Sequence, residues 1–234
     1  MKVIVTSDLH GTLPKIEESF DLLLLPGDLC PVWNHNRTYQ WEWLTHEFTD
    51  WIKNLPFKSA FSRVVVCAGN HDLCLESISK KKIFEWEKNT DNRLKYLENE
   101  AYNFDNLEGD KYNVYTIYAT PICKRFGSWA FMRDDLDKYY QGIPKNLDIL
   151  ISHDSPDINS LGMITEGPYK GENAGNAVLA KHIKEAKPKY FFSGHIHSGN
   201  HNFEKVDGIW MANVSIMNEN YVPINNPLVF EYMK

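Results

Sequence analysis

The chain has 234 residues, of which 43% are hydrophobic and 24% charged, and its formal net charge is −6. Stable binding to duplex nucleic acid is not expected, because such binding requires a surface rich in lysine and arginine. No apolar run reaches the roughly 18 residues of a membrane span, and no secretory leader is evident, so a cytoplasmic protein without membrane contacts is expected. The four cysteines show no CxxC spacing and are expected to be reduced thiols.

Five short apolar runs predict buried strands. In chain order they cover residues 2–7, 21–27, 63–69, 148–153 and 189–194. Each is apolar on both faces, as expected for strands that are covered on both sides. No repeat, low-complexity tract or linker separates them, so residues 1–234 are expected to form one domain.

Two segments between these runs predict helices. In residues 37–55, Trp41, Leu44, Phe48 and Trp51 recur at steps of three and four, which favours an amphipathic helix with the tryptophans in the core. Residues 173–187 predict a second helix that ends before Pro188, with His182 on its surface. Strands alternating with helices indicate a layered α/β fold. Residues 108–123 alternate in polarity like an antiparallel strand, so a mixed sheet is expected.

A polar cluster follows each of the five predicted strands. In chain order the clusters are Asp8-Leu9-His10, Gly27-Asp28, Gly69-Asn70-His71-Asp72, His153 and Gly194-His195-Ile196-His197. Each cluster alone is common in ordinary loops. The carboxyl ends of strands form the ligand-binding edge of open α/β sheets, so seven candidate ligands are predicted to converge on one rim.

The residue types at this rim indicate a metal centre. Oxygen and imidazole ligands without thiolates suit Mn, Fe, Zn, Ni or Co at a hydrolytic site, whereas structural zinc sites more often use several cysteines. Seven ligands exceed what one tetrahedral ion needs. They suit two divalent transition-metal ions, which can clamp a phosphoryl group when they lie about 3.5–4 Å apart.

The ordered set of motifs resembles the calcineurin-like metallophosphoesterase superfamily. Its signature is Asp-x-His, Gly-Asp, Gly-Asn-His-Asp/Glu, a lone His and Gly-His-x-His, and every part is present between Asp8 and His197. The resemblance implies a four-layer α/β/β/α sandwich with two mixed sheets and a dimetal centre at the strand ends. Manganese is the favoured metal.

The resemblance also implies a role for each position. Asp8, His10 and His197 would bind the first ion, and Asn70, His153 and His195 the second, with Asp28 bridging the two. His71 would protonate or stabilise the leaving-group oxygen after attack by a hydroxide held between the ions, and Asp72 would orient His71. His35, His46 and His201 are expected at the surface or the rim, and Trp129 and Phe131 in the core.

A narrower likeness links residues 48–58, 119–131 and 213–232 to the metallophosphoesterase-domain-containing (MPPED-like) subgroup, which includes phosphodiesterases of small cyclic or model diesters. Ala119 departs from the pattern of this subgroup and Cys30 from that of many superfamily members. Both departures affect the expected substrate pocket, but neither removes a predicted ligand. The favoured function is hydrolysis of small phosphodiesters, with nucleotides or cyclic nucleotides among the candidates. The alternatives are a phosphomonoesterase, including a protein phosphatase, and a non-catalytic metal-binding scaffold.

Overall fold

Residues 1–232, described here in a computed structural model, contain thirteen strands and five α-helices. The strands are β1 (Lys2–Val5), β2 (Leu22–Pro26), β3 (Arg63–Cys67), β4 (Leu94–Tyr96), β5 (Glu100–Glu108), β6 (Lys111–Thr120), β7 (Cys123–Lys124), β8 (Met132–Arg133), β9 (Ile149–Ser152), β10 (Tyr190–Ser193), β11 (Glu204–Val206), β12 (Ile209–Asn213) and β13 (Leu228–Glu231). The helices are α1 (Arg37–Trp43), α2 (Thr49–Lys53), α3 (Lys80–Asn89), α4 (Asp137–Tyr140) and α5 (Ala177–Ala186).

Eleven of the strands form two large mixed sheets, and β7 and β8 form a separate parallel pair. The first has the order β13-β1-β2-β3-β4, in which only β13 is antiparallel to its neighbour. The second has the order β11-β12-β10-β9-β6-β5, with antiparallel pairs at both edges. All five predicted strands are present. Three lie in the first sheet and two in the second, and all five are parallel to their interior neighbours.

Apolar side chains divide the molecule into four layers. Val3, Leu24 and Val65 of the first sheet share a buried cluster with Ile151 and Phe192 of the second, so the two sheets pack face to face. The other face of the first sheet packs against α1, α2 and α3, and that of the second against α4 and α5. The fold is therefore the predicted α/β/β/α sandwich.

The predicted helix at residues 37–55 is present but not uniform. A π-helical turn over Leu44–Phe48 separates α1 from α2. Within that turn Leu44 and Phe48 are fully buried, while Trp41 is partly buried and packs against the same cluster. The apolar stripe therefore faces the core as predicted, and the extra residue per turn shifts its register.

The second predicted helix begins later than the sequence indicates. Asn176 caps it by accepting a hydrogen bond from the backbone N–H of Leu179, so α5 starts at Ala177. The surface position predicted for His182 is wrong. His182 is buried against α4, and its Nε2 lies 2.9 Å from a carboxylate oxygen of Asp137.

The alternating segment at 108–123 is part of a hairpin. Glu108 ends β5, Gly109 and Asp110 form the turn, and β6 then runs antiparallel to β5. The other edge of β6 pairs in parallel with β9, which makes the second sheet mixed as expected. The predicted segment thus begins at the last residue of β5 and contains all of β6.

Candidate metal centre

Sharp turns at the strand ends direct the candidate ligands toward one place. Asp8, His10, Asp28 and His195 have φ values of 55°, 45°, 52° and 70°. This left-handed conformation is uncommon for residues other than glycine, although Asp and His adopt it more readily than most. Such strain persists where the surrounding structure enforces it, and it clusters at functional sites.

The two sheets meet at Asp8. The backbone N–H of His195, which follows β10 of the second sheet, donates to both carboxylate oxygens of Asp8 at 3.0 and 3.1 Å. The hydroxyl of Ser7 donates to the same carboxylate at 2.5 Å. The bonds from His195 join the loop after β1 to the loop after β10, and the bond from Ser7 holds the carboxylate in place.

Asp8, His10 and His197 form one group of candidate ligands, whose ligand atoms lie within 4.8 Å of one another. The Nε2 atoms of the two histidines are 3.1 Å apart, and Nε2 of His197 is 3.3 Å from Oδ1 of Asp8. Nδ1 of His197 donates to the carbonyl of Asn218 at 3.2 Å, which leaves the lone pair on Nε2 when the ring is neutral. Burial lowers the pKa of His10 to about 4, so its ring is neutral near pH 7.

Asp8, Asp28 and His153 form a second group that shares Asp8 with the first. Nδ1 of His153 donates to the carbonyl of Pro26 at 3.0 Å, and Nε2 of His153 lies 2.9 Å from Oδ1 of Asn70. Oδ2 of Asp28 is 3.3 Å from this Nε2 and 3.6 Å from Nε2 of His10. Asp28 therefore lies between His153 and His10, where a bridging ligand is expected.

The donor set fits a cation. In neutral His153 the Nε2 atom carries a lone pair, and it faces an amide oxygen of Asn70 and a carboxylate oxygen of Asp28, neither of which can donate a hydrogen bond. Three lone-pair atoms at such distances repel unless a positive charge lies among them. Burial lowers the pKa of His153, but the charge of Asp28 outweighs it and raises that pKa to about 10, so a proton is held there in the absence of metal.

His195 lies beside this second group. Its ligand atom groups with those of His153 and Cys123, and its ring centroid is 5.0 Å from that of His153. Cys123 was not among the predicted ligands, although it follows β6 as closely as the other candidates follow their strands. Burial raises the pKa of the Cys123 thiol, and its Sγ donates to the carbonyl of Pro121 at 3.4 Å, so the thiol is protonated in the absence of metal.

His71 lies at the edge of the centre and belongs to none of these groups. Its backbone N–H donates to Oδ1 of Asp28 at 2.7 Å, which holds the residue beside the proposed bridge. Its ring centroid is 5.0 Å from that of His10, and Nδ1 lies 3.3 Å from Nε2 of His35. The imidazole is partly exposed, as a group that contacts substrate must be.

Trp129 packs against both of these edge histidines. Its ring centroid lies 4.4 Å from that of His71 and 5.0 Å from that of His35. The prediction that Trp129 is a core residue is therefore wrong, whereas Phe131 is buried as predicted. His46 is exposed, and His201 is half-buried behind His197, whose carbonyl lies 3.1 Å from Nε2 of His201.

The structure contradicts the predicted role of Asp72. Its carboxylate accepts hydrogen bonds from the backbone N–H groups of Leu29, Cys30 and Gly69 at 3.2, 2.8 and 2.8 Å. It therefore joins the loop after β2 to the loop after β3. The ring of His71, which Asp72 was expected to orient, instead faces His35 through Nδ1.

Two glycines permit this close packing. A Cβ at Gly69 would overlap Oδ1 of Asp28, and a Cβ at Gly194 would overlap Ser7 and the carboxylate of Asp8. Neither glycine has a positive φ, so the requirement is for space rather than for an unusual backbone conformation.

Comparison with known proteins agrees with this geometry. The family model described as Calcineurin-like phosphoesterase matches residues 1–199. The chain belongs to the calcineurin-like phosphoesterase family. Members of this family are metal-dependent hydrolases of phosphoric esters with a dimetal centre, and the ligand groups around Asp8 provide donors for such a centre.

Individual relatives of this calcineurin-like phosphoesterase are distant but cover almost the whole chain. Metallophosphoesterase domain-containing protein 1 of Homo sapiens is 26% identical over 98% of this chain and 70% of its own length. The solved structure of TT1561 of Thermus thermophilus is 11% identical with a TM-score of 0.53 and covers 91% of this chain and 88% of its own. The solved structure of phosphopantetheinyl hydrolase of Mycobacterium tuberculosis is 12% identical with a TM-score of 0.54, and the match covers 94% of this chain and 90% of that one. The two structures share the fold.

All four cysteines are free thiols, as predicted. None of the helices formed by residues 1–232 has the length and hydrophobicity that crossing a bilayer requires.

Proposed function

We propose that this calcineurin-like phosphoesterase hydrolyses small phosphodiesters and uses two divalent transition-metal ions, with manganese favoured. The proposed ligands are Asp8, His10, Asp28, Asn70, His153, His195 and His197. The observation that carries the proposal is the convergence of lone-pair atoms from both sheets around Asp8 and Asp28.

The bound ions, Asp28 and His71 would have separate roles in hydrolysis. When bound, the ions would supply a nucleophilic water and stabilise the charge that grows on the phosphoryl oxygens. Asp28 would hold the two ions at a fixed separation. His71 would donate a proton from Nε2 to the leaving-group oxygen, because Nδ1 faces His35 and the ring lies at the exposed edge.

The charge around the centre favours diesters over monoesters. A monoester dianion needs more positive charge beside the metals than a diester monoanion does. Arg37 is bound to Ser77 and Glu76, and Arg125 and Arg133 bind Asp134 and Glu76, respectively. These arginines neutralise acidic groups outside the ligand set.

A direct comparison of two esters tests the substrate class. Purified protein with added Mn²⁺ is expected to release p-nitrophenol faster from bis-p-nitrophenyl phosphate than from p-nitrophenyl phosphate. A preference for the monoester would support the phosphomonoesterase alternative. No turnover of either ester with any of the five candidate metals would contradict both enzymatic functions and would support the non-catalytic metal-binding scaffold.

Three variants test the proposed roles. Asp28→Ala and Asn70→Ala are expected to abolish hydrolysis and to lower the bound metal measured by elemental analysis. His71→Ala is expected to retain metal and lose rate, most for esters with poor leaving groups, because these depend most on protonation. Loss of metal in His71→Ala would contradict its role as a proton donor.

A further inference from the structure

A cleft of about 560 Å³ opens beside the candidate metal centre and shares His195 with it. Ile164 and Ile196 contribute apolar surface to its lining, and Phe126 and Tyr169 contribute aromatic rings. A phosphate bound at the metals would therefore have one ester group close to this cleft.

The two aromatic rings of the cleft are unusually open to solvent. Phe126 is 62% exposed and Tyr169 is 61% exposed. The ring of Phe126 lies 5.4 Å from the ring of His195, centroid to centroid, and is tilted by 41°. An exposed phenyl group held against a proposed metal ligand offers a face on which a flat group can stack.

The charged groups that line the cleft are already bonded within the protein. Nζ of Lys124 donates to the carbonyls of Ala174 and Gly175 at 3.1 and 3.3 Å. Oδ2 of Asp154 accepts from the backbone N–H of Lys124 at 2.8 Å and from Nδ2 of Asn176 at 2.7 Å.

The remaining carboxylate of the lining, that of Glu219, accepts from the backbone N–H of Ser198 at 3.1 Å. The lining thus carries two carboxylates and one ammonium group, which is bound to carbonyls. With two carboxylates against one ammonium group, the lining disfavours a second phosphate, whereas an uncharged ring would lose little on entering.

We propose that this cleft binds the organic group of the substrate, and that this group is an uncharged aromatic ring, as in an aryl or nucleoside monophosphate ester. Phe126 and Tyr169 are the specificity-determining residues. The inference rests on the proposed phosphodiesterase function, because it places the phosphate at the metals.

The test keeps the leaving group constant and changes only the other ester group. With Mn²⁺-loaded protein, kcat/KM is measured for phenyl p-nitrophenyl phosphate and for ethyl p-nitrophenyl phosphate. The phenyl ester is expected to be preferred, mainly through KM. Phe126→Ala and Tyr169→Ala are each expected to reduce the phenyl-to-ethyl ratio about fivefold, the low end of what one stacking ring contributes. Any general effect of Phe126→Ala on His195 would change kcat/KM for both esters alike, so it would not change their ratio.

Phe84→Ala is the matched control. Phe84 is 58% exposed and lines a separate groove with Ile83 and Glu87 of α3. This variant should keep the wild-type ratio. A wild-type ratio near one, or an unchanged ratio in both cleft variants, would overturn the proposal while leaving the phosphodiesterase function intact.

A binding measurement separates the two hypotheses if turnover is absent. Isothermal titration of metal-loaded protein with phenyl methylphosphonate and ethyl methylphosphonate compares the same two groups on anions that lack the p-nitrophenyl leaving group. Tighter binding of the phenyl compound, lost in Phe126→Ala, would support the cleft even if hydrolysis failed. Equal binding or no binding of the two compounds would overturn it.

Discussion

Nε2 of His35 lies 3.3 Å from Nδ1 of His71, and both rings pack against Trp129. The pair restrains the ring plane of the proposed proton donor and occupies its Nδ1. We therefore expect His35 to act as a positioning residue, in a place where the sequence suggested only a rim histidine. A hydrogen bond of this kind contributes about 1 kcal/mol, so its loss corresponds to roughly a fivefold to tenfold change in rate.

His35→Ala is expected to lower kcat about tenfold with KM and bound metal unchanged. His35→Gln should recover part of the rate, because an amide can still form a hydrogen bond with Nδ1 of His71. In zinc-loaded protein, the ¹⁵N shifts of His71 should report a changed tautomer mixture in His35→Ala. An unchanged spectrum, or a rise in KM alone, would contradict the positioning role.

Asp72→Asn is expected to destabilise the protein by about 2–3 kcal/mol, because a buried amide cannot accept from three backbone N–H groups as the carboxylate does. The loops that carry Asp28 and Asn70 should shift, so metal affinity should fall as well. Denaturant unfolding and metal titration measure the two effects. Asp110→Asn, in the exposed turn between β5 and β6, is the control and should match wild type.

Gly69→Ala and Gly194→Ala are expected to reduce bound metal strongly, because each added methyl group overlaps a proposed ligand carboxylate. Elemental analysis after dialysis against Mn²⁺ gives the readout, and circular dichroism checks the fold. Gly142→Ala is the control and should keep its metal, because its new Cβ would lie 3.5 Å from its nearest neighbour, the hydroxyl of Tyr118, which is an ordinary contact. Full metal content in the two site variants would show that the centre tolerates movement of both carboxylates.

Asp148 gives a prediction about pH. Its carboxylate accepts from the hydroxyl of Tyr232 at 2.6 Å, from Nζ of Lys189 at 2.9 Å and from the backbone N–H of Thr116 at 2.9 Å. Burial raises the pKa of Asp148, but these hydrogen bonds outweigh burial and hold that pKa below its usual value of 3.8.

A lowered pKa in the folded state means that the ionised form of Asp148 stabilises the protein above the unfolded-state pKa, and that this contribution is lost as the pH falls through the folded-state value. Asp148→Asn should therefore cost about 1–2 kcal/mol at pH 7. The difference from wild type should shrink below about pH 4. Urea unfolding at pH 7 and pH 3 measures both, and a difference that grows on acidification would refute the assignment.

The sequence revealed the parts of the fold that are buried on both faces. The five predicted strands are continuous apolar runs, and every proposed ligand follows one of them. The missed elements lack that signal. Two of the three residues of the edge strand β11 (EKV) are charged, and α3 (KKKIFEWEKN) buries only Trp86. Neither element therefore shows a wide apolar face. The π-helical turn at Leu44–Phe48 shifts the register of the helix, but it changes the spacing of the apolar residues too little to be predicted from the sequence.

The site residues divide in the same way. Asp8, Asn70 and His153 could be predicted because motif order and strand ends coincide. His35 and Trp129 could not, because each lies on a loop whose path depends on tertiary packing. The acceptor role of Asp72 was also hidden, since the N–H groups that it binds belong partly to another loop, some forty residues away along the chain.

The shared position of the ligands has a consequence for folding. Loops after β1, β2 and β3 hold four of the seven proposed donors, and loops after β9 and β10 hold the other three, so bound cations would cross-link the two sheets. Ions that bind only the native state add their binding free energy to its stability. A substitution at any of these donors would then shorten the lifetime of the folded protein as well as slow the reaction, and the abundance of such variants in a cell would fall together with their turnover.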